Sequence, residues 1–206
     1  MYPDFFQNTS HRPWPLPEKA WRYYQEWNNA IFLHWCVDSS ELKKIMPSSI
    51  EIDSFEGNSW ISLVAFTMEK VKPAFLPSIS AISNFHEINI RTYVCSENKP
   101  GVYFLSIEAE KYLSSFIAKS LSGLPYKKSS MKRYNVDTYE TYTSLNVPNQ
   151  FEFNTSFKVG AEIEHPTALD RWLTERYCLY FDKLGIFSGM KFIINPGACS
   201  ILNCCN

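Results

Sequence analysis

Apolar residues recur along this chain mostly at a spacing near two, with a few stretches spaced near 3.6. Residues 30–37, "AIFLHWCV", are almost continuously apolar, which predicts a buried strand. Residues 59–72, "SWISLVAFTMEKVK", begin the same way and then alternate. "NFHEINIRTYVC" (84–95) and "KPGVYFLSIEAEK" (99–111) predict two more strands, joined into a hairpin by a Pro-Gly turn. "YKKSSMKRY", "DTYETYTSLNV" and "QFEFNTSFKVG" suit antiparallel strands, and "CLYFDKLGIFSGMKF" reads as a closing hairpin. Helical spacing is expected in "EKAWRYYQEWNN" (18–29), presenting Trp21 and Tyr24 on one face. "DSSELKKIMP" predicts a two-turn helix capped by Asp38 or Ser39, with Leu42, Ile45 and Met46 inward and Pro47 as its stop. Residues 109–123 align Leu113, Phe116, Ile117 and Leu121, with Gly123 as C-cap. "HPTALDRWLTERY" predicts a helix with Thr167 as N-cap.

Many strands of middling length, two or three helices and few glycines indicate an α+β domain with a large, mostly antiparallel sheet. Strands this numerous close or stack. The 206 residues suit a single domain, 1–206. Its first 17 residues hold four prolines and are expected to be extended. A net charge of −1 argues against nucleic acid as a partner. Neither GxGxxG nor GxxxxGK[ST] occurs. No apolar run is long enough for a membrane helix, and the N-terminus lacks a basic-then-apolar leader, so a cytoplasmic setting is expected. The six cysteines show no metal-site spacing; Cys36, Cys95 and Cys178 are expected to be buried thiols, and neither metal nor cofactor is expected. The dense aromatics (15 Phe, 12 Tyr, 6 Trp) are compatible with a homo-oligomer or a protein-interaction module.

The candidate chemistry lies on 84–95. Alternation puts Phe85, Glu87, Asn89, Arg91 and Tyr93 on one face and His86, Ile88, Ile90, Thr92 and Val94 on the other. The first face is either a solvated polar surface or a polar stripe lining an interior. Glu87 and Arg91 are about 13 Å apart by strand rise, so they do not pair directly. Lys127 and Lys128 alternate as well: Tyr126 shares a face with Lys128, and Lys127 shares one with Ser129. "LTERYCLY" adds Glu175 and Arg176, either as a structural clamp or at a cavity mouth. His34 sits in an apolar strand, as a hydrogen-bonded core residue or a ligand contact.

"HRPWPLPEKAW", "FLHWCV", "LKKIMPSSIEIDSFEGNSWISLVAFTM", "FHEINIRTYV", "PGVYFLSIEA", "GLPY" with the later "SSM", and "LTERYCLY" together resemble the YqjF-like family, domain of unknown function 2071, over roughly residues 11–189. The resemblance implies relation to the acetoacetate decarboxylase superfamily: a closed, mostly antiparallel β-barrel with a few peripheral helices and a central cavity. It hands over no reaction. Acetoacetate decarboxylase carries Gly-Tyr-Pro-Lys-Lys, whose first lysine forms a Schiff base; "GLPYKK" here is similar but one residue longer. Such a lysine must be neutral to attack, so its pKa must fall well below its usual value near ~10.4.

Two functions follow from different classes. One is binding of a small organic acid or carbonyl compound in the lumen, with Arg91 on the carboxylate, Asn89 and Glu87 orienting it, and His34, Tyr126, Glu175 and Arg176 as further ligand contacts. The other is a Schiff-base decarboxylase or aldol-type lyase with Lys127 or Lys128 as nucleophile and Glu87 as proton shuttle. The tail departs from the family's ending, which resembles Glu-Ile-His-His-x-Pro-Trp-x-Leu. The third base of the Met190 codon followed by the first two of Lys191 must read GAA, glutamate. With suitable synonymous codons that frame continues Ile-His-His-Lys-Pro-Trp-Ser-Leu. Residues 190–206 are therefore expected to come from a shifted frame.

Overall fold

In the computed structural model the described residues are 23–74, 77–111, 124, 126–183, 186–191 and 200–205. The elements run β1 (Tyr23–Val37), α1 (Ser39–Ile45), β2 (Glu51–Ile52), β3 (Ser59–Pro73), α2 (Ser80–Ser83), β4 (Phe85–Ser96), β5 (Lys99–Ala109), β6 (Tyr126–Lys128), β7 (Ser130–Val136), β8 (Tyr139–Asn146), β9 (Phe151–Glu162), α3 (Ala168–Thr174), β10 (Cys178–Lys183), β11 (Ile186–Lys191) and β12 (Ser200–Cys205). A larger sheet is ordered β1-β3-β4-β5-β10-β11, with β2 beside β4 and β6 beside β5. A smaller sheet is ordered β12-β9-β8-β7. Neither sheet closes on itself among the described residues. No described helix is long and apolar enough to cross a membrane.

Most predicted strands form where the alternation places them, and β4 and β5 make the expected hairpin. Its turn lies at Glu97 and Asn98, both at positive φ, just before the Pro-Gly pair. The expected helix over 18–29 does not form in its described part. From Tyr23 the chain is already β1, paired with β3 from Tyr23↔Pro73 to Val37↔Ser59. Trp27 stacks on Phe66 at 4.2 Å between centroids, so sheet packing overrides a short stretch with weak helical preference. In α1, Asp38 caps as expected, and Leu42 and Met46 are buried; Ile45 instead faces solvent because seven residues present only one narrow stripe. The helix α3 carries a full capping box between Thr167 and Asp170. Cys178 is buried, Cys95 half-buried and Cys36 exposed, the last because it lies on the edge strand β1. The predicted helix at 109–123 falls largely outside the described residues, as does the segment 1–17. Of the tail, residues 190–191 end β11 and residues 200–205 pair with β9.

Both faces of the larger sheet are buried. On one, Ile31, Leu63, Ala65 and Ile88 pack against Met131, Tyr142 and Phe157 of the smaller sheet. On the other, two apolar clusters gather Val64, Phe66, Phe85 and Ala109, then Tyr93, Val102, Phe104 and Ile107 with Leu173 of α3. The β4–β5 register slips by one residue between Ile90↔Ser106 and Arg91↔Phe104. That bulge reverses the alternation of β5, so Phe104 and Val102 join Ile107 and Ala109 on the face of Glu87 and Arg91.

Candidate functional site

The polar row of β4 is not solvated. Glu87 and Asn89 are about as buried as any core residue, at 1% and 0% exposure, and Arg91 is at 5%. The row lies on the face of the larger sheet turned away from the smaller one, since its in-between neighbours Ile88 and Ile90 pack against that sheet. Neighbouring strands complete the floor by register. Phe66, Val64 and Ser62 of β3 lie opposite Glu87, Asn89 and Arg91, and Phe32 and His34 of β1 lie opposite Val64 and Ser62. On the other flank, Ala109, Ile107 and Phe104 of β5 continue the same three rows.

Several of these polar groups have no hydrogen-bond partner among the described residues. They are Glu87 Oε2, both side-chain atoms of Asn89, and Arg91 Nε and Nη2. Burying such groups unpaired costs about 1–3 kcal/mol each, and more where charge is involved. Among the described residues no carboxylate pairs with Arg91; its guanidinium lies 5.2 Å from the Phe32 ring centre. Burial pushes the Glu87 carboxyl up to about 8, although the Tyr126 hydroxyl and the Asn89 amide beside it pull the other way. At neutral pH this acid is therefore mostly protonated. Burial, then the Glu87 charge, raises Tyr126 well above the usual phenol range.

At the Arg91 end, three strands join in a small hydroxyl network. Ser62 Oγ lies 2.6 Å from His34 Nδ1, Tyr93 OH hydrogen-bonds Ser62 Oγ, and Tyr93 OH is 3.3 Å from the same His34 nitrogen. Burial first, and the Arg91 charge second, lower His34 to about 4. The imidazole is thus neutral at pH 7, with Nδ1 in hydrogen-bond contact with both hydroxyls. The sequence pointed to His34, but not to Ser62 or Tyr93, whose roles appear only once β1, β3 and β4 are aligned.

Arg176 is clamped rather than open. Its Nη1 lies 2.5 Å from Asp53 Oδ2, its Nε donates to Trp172 O at 2.6 Å, and its guanidinium stacks over Trp172 at 4.1 Å and Tyr93 at 5.0 Å. This joins α3 to the β2–β4 corner and, among the described residues, leaves Nη2 without a partner. Glu175 is the C-cap residue of α3, its N–H donating to Arg171 O, and stands outside the row. The lysines diverge. In the parallel pairing of β5 and β6, Tyr126 sits beside Ile107 on the row's face, Lys127 beside Glu108 on the opposite face, and Lys128 beside Ala109 at the strand end. Tyr126 packs into the apolar clusters of the row. Lys127 is half-buried, and Lys128 is exposed and lines an open cleft of about 380 Å³ with Glu110, Ser129, Ser130 and Met131. No group of three or more metal-ligating side chains occurs among the described residues.

The strand with the buried row, followed along the chain by "GLPY" and "LTERYCLY", fits one family. Residues 24–192 match DUF2071, described as "Uncharacterized conserved protein". The chain belongs to that family. The Bacillus subtilis (strain 168) protein YqjF is 35% identical over 168 residues, covering 80% of this chain and 69% of its own length. Among solved structures, acetoacetate decarboxylase from Legionella pneumophila superposes with a TM-score of 0.52 at 13% identity, covering 82% of this chain and 64% of that one. The enduracididine biosynthesis enzyme MppR, complexed with pyruvate, gives 0.54 at 12% identity, covering 84% and 70%. The DUF2071 chain thus shares the acetoacetate decarboxylase-like fold and spans about two thirds of these relatives' lengths.

Proposed function

We propose that this DUF2071 protein binds a small organic acid or carbonyl compound along the β4 row. The carrying observation is Arg91, buried with two of its nitrogens unpaired and no carboxylate partner among the described residues. A buried cation held this way is stabilised by an anion with matching geometry, and a planar guanidinium favours a carboxylate. Asn89 and Glu87 supply orientation, and Phe32, Phe66 and Phe104 supply apolar walls. An apolar site with a few convergent polar groups is the usual form of a small-molecule site. MppR holds pyruvate on the same fold, which adds a small acid of that kind to the candidates. The reading carries the further expectation that the larger sheet curls into a closed barrel around its ligand.

The test is ligand-induced thermal stabilisation with pyruvate, acetoacetate and their hydroxy counterparts. Arg91→Ala is expected to lose the stabilisation, and Lys127→Ala to keep it. Stabilisation by none of these acids, or an Arg91→Ala protein that responds like the parent, overturns the reading. A second reading, Schiff-base catalysis, is favoured by Lys128 lining the open cleft beside Glu110. Borohydride trapping with pyruvate or acetoacetate separates the two. A reduced adduct on Lys127 or Lys128 supports catalysis, and stabilisation without an adduct supports binding alone.

A further inference from the structure

Hydrogen-bond accounting along the row discriminates between kinds of acid, and rests on the binding reading above. Asn89 is 0% exposed; its amide lies beside the Glu87 carboxyl, and among the described residues neither its Nδ2 nor its Oδ1 makes a hydrogen bond of good geometry. It therefore presents a donor and an acceptor together, and both need an answer from the ligand. A ketone oxygen accepts only, leaving Oδ1 with nothing to accept from. A hydroxyl both donates and accepts, so it can answer both atoms. Glu87, next along the row, has Oε2 unpaired among the described residues. With its proton on it too can donate to a hydroxyl oxygen, and its free oxygen can accept from a hydroxyl proton. Arg91, next in the other direction, takes the carboxylate.

We propose that the row selects a hydroxy acid over the corresponding oxo acid, with the carboxylate on Arg91 and the hydroxyl between Asn89 and Glu87. The discrimination comes from one buried acceptor that a ketone leaves unanswered. A site built to pair with a hydroxyl rejects the analogue that lacks it more strongly than an apolar site rejects a change of shape.

Calorimetric titration of the full chain with two matched pairs tests this: lactate against pyruvate, and 3-hydroxybutyrate against acetoacetate. The hydroxy member of a pair is expected to bind about tenfold tighter, the scale of one buried hydrogen bond left unmade. Asn89→Leu, similar in size and without polar atoms, is expected to bring the two members of each pair within about twofold while both still bind. Equal or tighter binding of the oxo members to the parent protein overturns the proposal and leaves the binding reading standing. Failure of all four acids to bind overturns both. The parent comparison decides the matter even where the leucine variant does not fold.

Discussion

Glu87 is the residue whose ionisation departs most consequentially from that of a free carboxyl group. Its folded pKa, about 8, lies above the ordinary carboxylate value of 4.5. Between those two values the unfolded chain releases the proton and the folded chain keeps it, so the folded state binds more protons there. Stability therefore falls as pH rises through that window and levels off above it. The loss reaches on the order of 3 kcal/mol near neutrality. Glu87→Gln keeps the shape and removes the titration. Its melting temperature is expected to vary less with pH between about 5 and 8 than the parent's, and to exceed the parent's at the upper end. Thermal denaturation across that range checks this; a variant that follows the parent's pH dependence would show that Glu87 is not held protonated. His34 has the opposite sense: its depressed pKa makes the folded state bind fewer protons, so it adds a loss of stability on acidification from about 6.5 towards 4.

Elements here are held by close approach more than by their own propensities. Gly101 of β5 runs against β10 so tightly that a Cβ there would meet Cys178 O at 2.5 Å, Tyr180 Cε2 at 2.7 Å and Cys178 Cβ at 2.8 Å. A backbone carbonyl cannot swing aside as a side-chain tip does. Gly101→Ala is therefore expected to destabilise by about 1–3 kcal/mol, read as a lower urea midpoint. Gly57, at a turn, has open space around its would-be Cβ but sits at φ +81°, so its requirement is conformational instead. At α3, Thr167→Ala removes one half of the capping box and is expected to cost about 1 kcal/mol. Its readout also includes the position of Trp172, which anchors Arg176 and Tyr93 at the edge of the site, so a change in tryptophan fluorescence should accompany the loss.

At the scale of the molecule, the two sheets are stitched by a second buried acid. Glu108 of β5, at 1% exposure, accepts from Ser129 Oγ between β6 and β7, from Asn146 Nδ2 of β8 at 2.5 Å, and from Ser106 Oγ at 3.3 Å. Unlike Glu87 it is well answered, so it reads as a joint rather than a binding group. Asn146→Leu leaves Glu108 short of a donor and is expected to cost about 2 kcal/mol, whereas adding Glu108→Leu should recover part of that loss. Urea unfolding of the two single variants and the double variant checks the cycle, and strict additivity would argue against the joint. For the tail, we propose that residues 190–206 are read in a shifted frame. The coding DNA is expected to carry codons compatible with Ile-His-His-Lys-Pro-Trp-Ser-Leu after the obligatory glutamate; codons incompatible with those residues end that idea.

The strand pattern, the α3 cap at Thr167 and the shared face of Glu87, Asn89 and Arg91 were legible in the sequence because they depend on local periodicity and on side chains within four residues of each other. The family was legible too, through blocks such as "FHEINIRTYV" and "LTERYCLY". What the periodicity could not decide was which side of β4 would be enclosed and by what, since that depends on strands distant in the chain. The helix expected before residue 29 gave way to pairing with β3 for the same reason: non-local sheet contacts outweigh a weak local preference. Only tertiary structure could bring Ser62 and Tyr93 to His34, set Asp53 against Arg176 and, through a one-residue bulge, turn Phe104 toward Arg91. Burial, a property of the whole assembly of strands, is what turns an ordinary Glu-Asn-Arg row into polar groups left without partners among the described residues.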